Sequence, residues 1–153
     1  MTVAIEQDVS RIEEAMGELQ RLWTSRRMHD DHMQAIGVRA TRTELRVLRW
    51  LVSSSPTSVS DVAAALDVSQ PTASRTLAGL ERQGLVARQA TADGRVTLVE
   101  ITPEGRRTMR RVARYRHRQL EMALGGMADG QRHRLALSLE DLVERLRGSS
   151  SAG

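Results

Sequence analysis

The stretch Ser69-Gln70-Pro71-Thr72-Ala73-Ser74-Arg75 gathers an amide, three hydroxyls and a guanidinium at the start of one expected helix. These groups can bond to the edges of base pairs. Gln70 can hold adenine with two hydrogen bonds, Arg75 suits guanine or phosphate, and Ser69, Thr72 and Ser74 can bond to bases or phosphates. Pro71 and Ala73 offer apolar contact to a thymine methyl. The helix start adds free amides and the positive end of a dipole for a phosphate. A second cluster, Asp93-Gly94-Arg95, falls at an expected hairpin tip. Arg95 can enter the minor groove there, where narrow A/T-rich segments concentrate negative potential, and Asp93 can orient it through an ion pair. Arg39, Arg42 and Arg88 are the expected phosphate contacts, which add affinity without sequence information. Taken singly, an exposed Arg is usually a solvated face and Asp-Gly a common hairpin turn. Their order and spacing carry the weight.

Other chemistries are weaker. His29 and His32 share a helix face beside Asp30 and Asp31, and His117 or His133 could complete a metal shell. A polar, solvated helix end explains them better, so no metal is expected. Trp23, Trp50 and Tyr115, with Arg27 or Arg111 as anion partner, are the residues from which a ligand pocket would be built. The plainer explanation is packing in the core or at an interface. Ser53-Ser54-Ser55 lacks a positioned His and an oxyanion-hole signature, and there is no Gly-rich phosphate loop. No enzyme and no cofactor are expected.

The elements that must position the reading cluster follow from period and caps. Val9, Ile12, Met16, Leu19 and Leu22-Trp23 recur at helical spacing, predicting one long amphipathic helix that fades near Gly37. Thr41-Arg42-Thr43-Glu44 is a capping box, opening a helix with Leu45, Leu48 and Val52 inward and ending at Ser53-Ser54-Ser55-Pro56. Ser58-Val59-Ser60-Asp61 repeats the pattern for a short helix through Val62, Ala63 and Leu66. Asp67-Val68-Ser69 is then a turn. The next helix runs from Gln70 to Arg82 with Ala73, Leu77 and Leu80 inward, admits Pro71 in its first turn, and stops at Gly84. A hairpin is expected from Leu85–Arg88 and Val96–Ile101 around Thr91-Ala92-Asp93-Gly94. Thr102-Pro103-Glu104 starts another helix, carrying Met109, Val112 and Leu120. Asp129 is the expected cap of a last helix with Leu135, Leu139, Leu142 and Leu146 in a seam. A flexible tail is expected from Gly148.

Composition agrees with a soluble DNA-directed protein. At 153 residues, 40% hydrophobic and 27% charged, the chain has enough apolar side chains for a real core. Only 2% is aromatic, with no Phe, which disfavours a stacking platform for single strands or RNA. The net charge is +4 and all 23 basic residues are Arg. Arg suits phosphate and guanine, although a GC-rich coding bias also explains the absence of Lys. The absence of Cys removes disulfides, thiol chemistry and Cys-ligated zinc. No apolar run is long enough for a bilayer and the first residues are acidic, so a cytoplasmic protein is expected.

The passage from hairpin to helix resembles the MarR family's D-x-R-x-x-x-V-x-L-T-x-x-G motif through Asp93, Arg95, Val99, Ile101 (for Leu), Thr102 and Gly105. Ser69, Thr72, Arg75, Leu77, Leu80 and Gly84-Leu85-Val86 are similar to that family's recognition helix, and Thr41–Leu51 to its second helix. The loop ahead of Asp93 is shorter than the family's, and Pro71 stiffens the base-reading end. The resemblance implies a homodimer on a palindromic operator, commonly a repressor released by a small ligand. It also implies Arg95 as the minor-groove arginine, with Asp93 as its partner.

The expected fold class is mainly α with a small β-hairpin wing (α+β), a winged helix-turn-helix with helical dimerisation arms. Residues 1–38 would form one arm, 39–101 the DNA-binding region, 102–147 the C-terminal dimerisation helices and 148–153 the tail. Apolar stripes wider than the small module can cover argue separately for self-association. Expected partners are double-stranded DNA, a second copy and a small-molecule effector, with no membrane. Two alternatives use the same elements: a sequence-tolerant architectural DNA binder, and a dimeric ligand-binding protein that does not read DNA.

Overall fold

Side-chain caps set the helix starts through the middle of the chain. The computed structural model describes residues 2–91 and 97–150. Thr41 opens α3 (Arg42–Ser54) with a complete capping box: Glu44 N donates to Thr41 Oγ1 at 3.2 Å, and Thr41 N to Glu44 Oε2 at 2.7 Å. Ser58 repeats the device for α4 (Val59–Leu66) with Asp61. Asp61 accepts from Ser58 Oγ at 2.7 Å, Ser58 N at 3.2 Å and Thr57 Oγ1 at 3.2 Å. These bonds, the Ser58 hydroxyl first, hold its carboxyl below the usual carboxylate range. Asp67 then turns left-handed at φ 52°, and α5 (Gln70–Arg82) begins behind the cap Ser69, with Pro71 in its first turn. Gly84, at φ +69°, supplies the expected left-handed stop.

The hairpin is present as β2 (Val86–Ala90) and β3 (Thr97–Ile101), antiparallel from Val86 against Ile101 to Ala90 against Thr97. A two-residue strand, β1 (Thr57–Ser58), pairs with the other edge of β3 and gives the sheet order β1-β3-β2. The sequence gives no sign of it, because two residues cannot display a period. The hairpin tip, residues 92–96 with Asp93 and Arg95, lies outside the described residues.

The core between these elements is aliphatic, as the lack of Phe requires. Leu48 and Leu51 of α3, Val62 of α4, Leu77 and Leu80 of α5 and Val99 of β3 are fully buried. Each contributes about 1.5–3 kcal/mol relative to an exposed side chain. Val112 of α6 (Pro103–Leu124) joins the same cluster. Val52 does not: it is 42% exposed, because Val47 and Leu51 turn the buried stripe of α3 away from it.

Three other expectations are corrected. The first helix is two helices, α1 (Thr2–Thr24) and α2 (Arg26–Ile36), because Ser25 leaves the helical region at ψ 144° and accepts from Met28 N as a new cap. Asp129 lies inside α7 (Asp129–Ser150) rather than before it and pairs with Arg132, while Ala128 N donates to Gln131 Oε1 at 3.2 Å. Gly148 and Ser149 continue α7, so the helix extends past the expected start of the tail. The chain divides into two compact units, Met1–Tyr115, which holds the core and sheet, and Arg116–Gly153, which holds the end of α6 and α7.

Candidate nucleic-acid interface

The amphipathicity of α5 separates a buried face from an exposed one. Ala73, Leu77 and Leu80 are buried, while Ser69, Gln70, Pro71, Thr72 and Arg75 are exposed and Ser74 is half-buried. The six base-reading candidates therefore share the first two turns of one helix. Their polar groups are not equally available. Ser69 Oγ and Thr72 Oγ1 lie 2.8 Å apart as a hydrogen-bonded pair, and Gln70 Nε2 donates to Ser60 Oγ at 2.9 Å across to α4. Arg75 has no hydrogen-bond or ion-pair partner among the described residues.

Contacts from other elements fix the angle of α5. Glu44, already part of the α3 capping box, accepts from Gln83 Nε2 at 3.1 Å. Gly79 makes room for that carboxylate: a Cβ there would stand 2.8 Å from Glu44 Oε1. Arg46 Nη2 donates to Leu66 O at 3.2 Å, tying the end of α4 to α3. Arg88, from β2, reaches back to α5. Its Nη2 donates to Ser74 O at 3.2 Å, and its Nε lies 3.2 Å from Glu81 Oε2, an ion-pair distance without hydrogen-bond alignment. Arg88 is thus engaged within the fold. Arg39 is exposed, and Arg42 is exposed while donating to Thr24 O.

The wing base is stitched to the end of α5 by Thr102. Its hydroxyl donates to Gly84 O at 2.7 Å and accepts from Gly105 N at 3.0 Å, while its amide donates to Leu85 O at 3.1 Å. Reasoning from the sequence did not identify Ser60, Glu44 with Gln83, or the Arg88 clasp as supports. The capping boxes hint at Glu44, but the hydrogen bonds Gln70–Ser60, Gln83–Glu44 and Arg88–Ser74 span ten or more residues and leave no local signal.

The residues named for a ligand pocket do not line a common cavity among the described surface depressions. Trp23 is 59% exposed, Arg27 is exposed 3.9 Å from Asp31, and Trp50 packs against the core. Arg111 Nη2 donates to Glu104 Oε1 at 3.3 Å and to Thr108 Oγ1 at 3.2 Å. Tyr115 stacks on buried His32, ring centroids 4.3 Å apart. His29 Nε2 lies 2.8 Å from Ala40 O. The two histidines thus make structural contacts, and no group of three potential metal ligands occurs among the described residues. No described helix is long and apolar enough to cross a membrane.

Residues 41–95 match a family model for the MarR family. Among solved structures, a MarR family protein from Bacillus stearothermophilus is 19% identical with TM-score 0.78, over 93% of this chain and 97% of that one. RV1404 from Mycobacterium tuberculosis is 25% identical with TM-score 0.72, over 90% and 92%. A mutant of S. aureus MepR bound to an oligodeoxyribonucleotide is 17% identical with TM-score 0.62, over 92% and 97%. No curated protein sequence matches. Proteins of the matched family are transcription factors rather than enzymes. The sequence match spans residues 41–95, from the start of α3 into the hairpin, and the likeness to solved MarR family structures along nearly the full length is one of fold.

Proposed function

We propose that this protein is a homodimeric, sequence-specific DNA-binding regulator, a ligand-responsive repressor acting on a palindromic operator. The observation that carries the reading is the exposed start of α5, where Gln70, Thr72 and Arg75 face outward from a helix locked by Leu77 and Leu80. That end of a recognition helix is the one that enters the major groove. Arg75 would read a base or grip a phosphate, and Ser69, Pro71 and Ser74 would complete the contact surface. Asp93 and Arg95 would act in the minor groove. The DNA-bound state of MepR supports this use of the fold.

Two copies would set their reading helices roughly 34 Å apart, one turn of DNA. Support for pairing comes from Ile5, Val9, Ile12, Met16, Leu19 and Trp23 of α1, which recur at four- and three-residue steps and remain about half-exposed. Leu135, Leu139 and Leu146 of α7 are exposed in the same way. The effector would bind among Trp23, Arg27, Trp50, Arg111 and Tyr115 or near them.

Competition mobility shifts with the protein's own upstream DNA against bulk DNA test the reading. Preference by orders of magnitude is expected. Arg75→Ala should cost about 1–3 kcal/mol and relax one operator position. Equal affinity for all duplexes would identify an architectural binder, and no affinity a dimer that does not read DNA.

A further inference from the structure

Arg107, Arg110, Arg111 and Arg114 follow one another along α6 at steps of three, one and three residues. With Glu104 they line an open groove of about 320 Å³. Four guanidinium groups face one carboxylate there, and that carboxylate is already divided. Glu104 Oε2 accepts from Arg107 Nε at 2.8 Å, and Oε1 from Arg111 Nη2 at 3.3 Å. Arg110 and Arg114 are exposed and have no hydrogen-bond or ion-pair partner among the described residues.

The fold does not require this concentration of charge. Gly105, Thr108 and Val112 form the buried face of α6, and like charges at these spacings oppose the helix. Several other arginines are balanced locally: exposed Arg26 and Arg27 by Asp30 and Asp31 on α2, and half-buried Arg132 and exposed Arg145 by Asp129 and Asp141 on α7. On α6 the balancing acids are missing at Arg110 and Arg114. Guanidinium forks lining one groove match the paired oxygens of phosphate and carboxylate groups.

We infer that this groove binds a small anion carrying two or more negative charges, on phosphate or carboxylate groups. It shares no residue with the DNA-reading surface. It would give the proposed effector a chemical class, and it rests on that reading only for its effect on DNA binding.

Calorimetric titration of the full chain with pyrophosphate, and separately with citrate, at fixed ionic strength tests the inference. Saturable binding at one site per chain is expected, weakened roughly tenfold or more in Arg110→Gln/Arg114→Gln. Circular dichroism and operator shift without anion should be unchanged in that variant. Absence of saturable binding by wild type, or equal binding by the variant, overturns the proposal whether or not the protein binds its operator. Intact anion binding with weaker, less salt-dependent DNA binding in the variant also overturns it, and assigns the face to the DNA backbone.

Discussion

At Gly105 a single hydrogen atom decides whether α6 can start where it does. A Cβ there would press into the carbonyl of Leu85 and stand 2.7 Å from Ile101 Cγ1, and the backbone carbonyl cannot swing aside. Gly105→Ala should therefore destabilise the protein by about 1–3 kcal/mol, read as a lower denaturant midpoint. An unchanged midpoint would mean that the junction can relax. Thr102 is legible in the sequence as a helix cap, and its bond to Gly105 N fulfils that role. Its second bond, to Gly84 O, joins the end of α5 to the root of the wing and is visible only in the fold. The same holds for Gln70: its type and position are in the sequence, but its tether to Ser60 depends on how α4 and α5 cross.

At the scale of elements, α5 and strand β2 are joined, and Arg88 is the clasp. A phosphate contact and a clasp predict different salt behaviour. Removing a phosphate contact flattens the dependence of log affinity on log salt by about one unit. Since Arg88 is bound to Ser74 O and beside Glu81, Arg88→Gln should lower operator affinity while leaving that slope unchanged. A flatter slope with wild-type thermal stability would return Arg88 to the phosphate contacts. Element types and most boundaries were readable because caps and stop signals are local: α5 runs from Gln70 to Arg82, the span its sequence predicts. The break at Ser25 was not readable, since apolar spacing continues up to Trp23 and only the turn of the backbone shows that a new helix begins.

At the scale of the whole molecule, the fold leaves large apolar side chains on α1 outside its core, with Ile5 and Trp23 each 59% exposed. Rows of that kind favour association. Met16→Glu/Leu19→Glu should convert the protein to a monomer by light scattering and, on a palindromic operator, lower affinity by orders of magnitude. A monomeric wild type would remove the basis for this expectation, and a variant that stays dimeric would place the interface elsewhere.

The sequence alone determined the order of caps, helices, turn and hairpin, the aliphatic core positions of α4 and α5, and the side-chain types at the start of α5. Those features depend on neighbours within a few residues, where periodicity and capping chemistry act. Tertiary structure alone decided the third strand at Thr57–Ser58, the exposure of Val52, the engagement of Arg88 and the tether of Gln70 to Ser60. Each depends on where distant segments meet or on how a helix is rotated against its neighbours. Packing of the whole chain fixes both, and local spacing leaves them open.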